Sequence, residues 1–117
     1  MNDLITNSEL RSYLDNEEFI LKTQQQLAKD FAKFNLFFSE NFEIGTLSKE
    51  EIEHQIGQLI VELMKEGETR LLQLLYTIDL SETQFLAITT DPDFIAKISE
   101  KILFREAYKV FLRRKFS

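Results

Sequence analysis

Few residues in this chain have the type and spacing to do chemistry. Glu51 and His54 form a Glu-x-x-His pair. That spacing projects both side chains from one helix face, as in carboxylate-bridged di-iron bundles. Such a site needs two of these pairs and two further carboxylates, and the chain has one histidine. Only a site shared across a symmetric dimer would supply the second. The simpler account of Glu50, Glu51 and Glu53 is an acidic, solvated first turn at the positive end of a helix. With no cysteine, thiolate nucleophiles, thiolate metal sites and disulfides are all excluded. No glycine-rich phosphate loop and no Gly-x-Ser-x-Gly elbow is present. Serine has one possible imidazole partner, and nothing among 20 acidic residues singles out a catalytic pair. We therefore expect no enzyme, no metal and no cofactor.

The sharpest surface feature is a ladder of cations, Lys97, Lys101, Arg105, Lys109 and Arg113. Steps of four drift by about 40° each on an α-helix, so the five wind along one flank. This flank is a candidate docking strip for an acidic partner. It equally suits the negative end of its own helix, or pairing with the acidic face of residues 49–68. Charge is unevenly spread. Residues 93–117 carry seven basic and three acidic side chains, a balance of +4, within a chain of net charge −6. The remaining −10 argues against nucleic acid, which selects a basic domain. Tyr76 and Asp79 are placed to pair with Arg105 or Arg113 as a polar clamp between helices.

These residues need helices to hold them. Three Gly and one Pro in 117 residues are too few turn-formers for an all-β chain. The longest periodic stretch is Ser48 to Asp79. Ile52, Ile56, Leu59, Leu63, Gly67, Leu71, Leu74 and Ile78 recur at steps of three and four on one stripe. The phase runs unbroken across Gly67, which predicts one helix over 49–79, central to the bundle and opened by a capping box at Ser48. A second helix is predicted over 15–39, capped by Asp15, with Ile20, Leu27, Phe31, Phe34 and Phe38 inward and Gln24 in a polar gap. Residues 40–47 read as a loop whose Phe42, Ile44 and Leu47 fold back over the bundle end. Ser81 to Gln84 is another capping box, opening a short helix over 82–90. Asp91-Pro92 starts the last helix, 92–115. Residues 1–14 read as weakly structured, with Ser8 capping a turn. The expectation is all-α: one domain, 1–117, a small bundle of three main helices plus a short one.

The last helix carries more apolar surface than one neighbour can cover, and the long middle helix would overhang a three-helix bundle. Both point to self-association as a homodimer through Phe104, Tyr108, Phe111 and Leu112. Burying side chains of this kind is worth about 1.5–3 kcal/mol each before association costs. No run reaches the 18 or so apolar residues of a membrane span, and the N-terminus lacks a secretory pattern, so a cytoplasmic protein is expected. Membrane-surface contact through the basic, Phe-rich C-terminus is the less favoured reading.

Leu74-Leu75-Tyr76-Thr77-Ile78-Asp79, followed by a helix ending Arg105-Glu106 with Lys109 and Arg113-Arg114-Lys115-Phe116, resembles small uncharacterised all-helical bacterial proteins. The likeness covers the C-terminal half. It implies a stand-alone helical domain and brings no activity, cofactor or site residue. The function expected is a non-enzymatic helical interaction module that self-associates. The alternatives are an adaptor docking an acidic partner through the basic flank, and a metal or enzymatic bundle using Glu51 and His54.

Overall fold

A computed structural model of the chain describes residues 5–116, so residues 1–4 of the N-terminal stretch lie outside it. Thr6 caps the first helix, α1 (Asn7–Tyr13), in a reciprocal capping box with Glu9. The sequence pointed to Ser8 instead; Thr6 wins because Glu9 stands three residues on, where it reaches back to the cap. Asn16, one residue past the expected Asp15, caps α2 (Glu17–Ala32) by accepting from the Phe19 amide at 2.9 Å.

α2 stops seven residues short of the predicted end. Asn35 takes a positive φ of 60°, and a loop runs to Ser48. The loop is built around Gln24, fully buried on α2. Its amide donates to the carbonyls of Phe42 and Gly45 at 2.7 and 2.8 Å and accepts from the Leu47 amide at 2.9 Å. The polar gap in the α2 stripe is thus what satisfies the loop backbone. Phe42 is buried and Leu47 partly so, as expected, but Ile44 is 76% exposed.

Ser48 caps α3 (Lys49–Met64) through the Glu51 amide at 3.1 Å. The predicted continuous helix over 49–79 does not form. The chain breaks at Lys65 to Gly67 and restarts as α4 (Glu68–Thr77), with Gly67 at φ 114°. Leu63, Leu71, Leu74 and Ile78 are all buried on either side. Both halves face one core, so the apolar phase survives a break that it cannot reveal. Position 67 tests this directly. A Cβ added there meets nothing within 4 Å, so any cost of Gly67→Ala is backbone strain alone. We expect a loss of about 1–2 kcal/mol in urea unfolding; an alanine as stable as wild type would mean a continuous helix.

Ser81 and Gln84 make the predicted capping box for α5 (Glu82–Leu86). Asp91 does not cap the last helix directly. Its carboxylate accepts from the Asp93 amide at 2.8 Å, Pro92 sits in that turn, and α6 (Phe94–Phe116) begins two residues later than predicted.

The core is centred on α6 rather than on residues 48–79. Its main contacts are with α3 and α2, and it also packs on α1. Gly57 lets α3 come close: a Cβ there would lie 3.1 Å from Ile95 Cγ2 and 3.2 Å from Ser99 Oγ. A helix apolar around most of its circumference is one enclosed by neighbours. That accounts for the α6 surface that seemed surplus. The radius of gyration, 13.6 Å, is close to the roughly 13 Å of a compact chain of this length; the break at Gly67 removes the predicted overhang. Every described element is helical, and no described helix is long and apolar enough to cross a membrane.

Candidate functional site

The sequence-derived residues fare differently. Glu51 and His54 lie exposed on the first turns of α3, and no three His, Asp or Glu side chains converge among the described residues. Of the apolar quartet, Phe104 is 8% exposed, with Arg11 stacked 4.9 Å from its ring centre and Lys49 at 5.6 Å. Phe111 stands edge-on to Tyr13 at 5.6 Å, and Tyr108 is half-buried beneath Arg105. Leu112 is half-buried. α1, a helix the sequence barely signalled, lies against Phe104 and Phe111, while Tyr108, Phe111 and Leu112 stay half-buried.

The basic ladder is largely paired within the molecule. Lys97 pairs with Asp91, and Arg105 reaches Asp79 at 2.5 Å. Lys109 meets Asp30 at 2.9 Å, and Arg113 donates to Gln26. Lys101 has no ion pair among the described residues. The expectation of internal pairing identified the wrong acids. They come from residues 30, 79 and 91 rather than from the 49–68 face. The Asp79–Arg105 clamp was legible in the sequence, with Asp79 held at φ 66° past the end of α4. Tyr76 goes instead to Glu82, at 3.4 Å.

Two contacts, Gln26 with Arg113 and Asp30 with Lys109, run in opposite chain directions, so α2 and α6 are antiparallel here. Between them lies a buried charge cluster that sequence reasoning missed. Glu106 is fully buried and Asp30 is 3% exposed. One ammonium serves both: Lys109 Nζ is 2.9 Å from Asp30 and 3.7 Å from Glu106, and it also donates to the Thr77 carbonyl at 3.3 Å. Neither Glu106 oxygen has another donor. Two buried carboxylates facing one cation cannot both stay ionised cheaply. Burial, reinforced by the hydrogen bond with Asp30 and its charge, pushes Glu106 up to about 9. Burial pushes Asp30 the same way, but hydrogen bonds from Glu106, Lys109 and Gln26 outweigh it and hold Asp30 below its ordinary value. A proton held on Glu106 would give the orphaned carboxyl a donor toward ionised Asp30.

Above this cluster a groove of about 400 Å³ opens between the same helices. Lys22, Gln25, Gln26 and Lys29 line it from α2, and Val110, Arg113 and Arg114 from α6. Both sets have helical one-face spacing. Four cations meet there, and none of the lining residues is acidic; Glu18 reaches Lys22 at 3.7 Å. Both members of that pair are at least half exposed, so it neutralises little. Arg114 lies 5.8 Å from the Phe19 ring centre, and neither it nor Lys29 has an ion pair among the described residues. The signal was present as Lys22 and Lys29 in phase on one helix and Arg113-Arg114 on another. Only the antiparallel packing brings them together.

No protein family, curated protein or solved structure matches this chain.

Proposed function

We propose that this protein is a non-enzymatic interaction module that docks an acidic segment of a partner protein in the cationic groove between α2 and α6. The observation that carries the reading is the convergence of four cations on one groove in a chain of net charge −6. The cationic side chains elsewhere on α6 are largely spent on Asp30, Asp79 and Asp91. In the groove Lys29 and Arg114 have no ion pair among the described residues, Arg113 meets only the neutral Gln26, and Lys22 has only the exposed Glu18. A local positive field on an acidic protein favours a partner carrying a short acidic stretch over a long polyanion, which the rest of the surface repels.

The test is anisotropy of a labelled ten-residue Glu-rich peptide. Lys22 and Lys29 are exposed and hold nothing in the core. We expect Lys22→Glu/Lys29→Glu to weaken binding tenfold or more, with stability unchanged within about 0.5 kcal/mol. Binding should also weaken steeply between low and high salt. Equal affinity of variant and wild type, or tighter binding to an oligonucleotide or an anionic vesicle than to the peptide, would overturn the reading.

Self-association is the second reading, and one observation favours it. The loop that Gln24 fastens presents Phe37, 67% exposed, and Ile44 on a fixed backbone. Light scattering on Phe37→Ser/Ile44→Ser against wild type decides it; two monomers at all concentrations would end it.

A further inference from the structure

The groove and the buried acid pair share a residue. Gln26, 5% exposed, accepts from Arg113 at the groove and helps hold Asp30 ionised on the inner side. Arg113 also stands two turns beyond Glu106 on the same face of α6, so its charge bears on that carboxyl. We infer that the groove is proton-linked: an anion bound against Arg113 and a proton held on Glu106 favour one another. This rests on the groove reading above and adds its regulation.

The charges facing Glu106 can be followed element by element. From α2 comes Asp30, itself 3.5 Å from Lys33, with Gln26 beside it. From α6 come Lys109 and Arg113, while Arg105, next in sequence, is committed to Asp79. From α4 comes only the Thr77 carbonyl, on Lys109. With Glu106 protonated, Lys109 balances Asp30, and the charge of Arg113 is left for the groove. Ionising Glu106 adds a second buried carboxylate, which draws on Lys109 and Arg113 together and lowers the field an incoming anion meets. An anion on Arg113 in turn removes one of the two cations that help Glu106 ionise. Such coupling is reciprocal by linkage. The elevated value of about 9 places the window at mildly alkaline pH.

The direct measurement is a 13C carboxyl NMR titration of Glu106 in the full chain, alone and saturated with the ten-residue Glu-rich peptide. We expect the peptide to move the Glu106 midpoint upward by about half a pH unit, equivalent to roughly threefold tighter binding to the protonated form. An unmoved or lowered midpoint overturns the linkage. Glu106→Gln is the companion variant, and it keeps every groove cation. It should bind the peptide at pH 7.5 as wild type does, and lose less affinity than wild type between pH 7.5 and 9.5. Parallel losses in both proteins would assign the pH dependence to the groove cations and overturn the inference. If wild type fails to bind the peptide at pH 7.5, the groove reading itself is overturned and the linkage falls with it.

Discussion

Replacing Lys109 with Met should cost about 3–5 kcal/mol of stability in urea unfolding at pH 7, the usual cost of breaking a buried pair from one side. Asp30 is 3% exposed and its closest cation is Lys109 Nζ at 2.9 Å. Lys33 is the other, at 3.5 Å, but its own side chain is 55% exposed and weakly held. Met fills the space of the lysine stem but leaves a buried carboxylate facing a neutral acid and an amide. The variant should take up a proton to relieve this. Asp30→Asn added to Lys109→Met should therefore recover at least about 2 kcal/mol, since it removes the stranded charge rather than the packing. A Lys109→Met protein within about 1 kcal/mol of wild type would mean that Asp30 is not ionised in the fold.

The second large effect is on pH dependence. Glu106 is raised from 4.5 to about 9, so the folded state keeps its proton where the unfolded chain has lost it. Its contribution is fully present below pH 4.5 and falls as pH rises toward 9, by at most about 1.4 kcal/mol per pH unit. Asp30 has the opposite sign. It is lowered from 3.8, so its contribution is present above that value and is lost as pH falls below it. Taken together, these two contributions are largest near pH 4–5. Glu106→Gln retains a donor toward Asp30 and cannot ionise. It should flatten the slope between pH 5 and 9 and be more stable than wild type at pH 7 by about 2–3 kcal/mol. A wild-type stability that is level from pH 5 to 9, or a glutamine variant less stable at pH 7, would contradict the shared-proton arrangement.

The helical class was legible because it rests on local terms: three-and-four periodicity, the cap at Ser81, and a shortage of glycine and proline. The clamp between Asp79 and Arg105 was legible too, because it joins a helix end to a long cation of matching height. What failed was what depends on neighbours. Gly67 sits in phase on an apolar stripe, and the stripe persists because α3 and α4 bury the same face; a φ of 114° leaves no trace in periodicity. Phe104 and Phe111 read as surplus because α1, which covers them with Arg11 and Tyr13, is only seven residues long and capped by an unexpected Thr6. Glu106 carries no sequence signal beyond standing three residues before Lys109. Its burial is decided by α2 lying against that flank, a fact of packing rather than of spacing. The groove was hidden for the same reason, since each helix supplies only two of its four cations.

The most direct test is where an acidic partner sits. A 1H–15N chemical-shift map of the full chain, titrated with the ten-residue Glu-rich peptide at low salt, reads that location directly. The shifts should gather on Lys22, Gln25, Gln26, Lys29, Arg113 and Arg114, saturate, and vanish at high salt. Shifts gathered instead around Phe37 and Ile44, or scattered over every lysine and arginine without saturating, would contradict it.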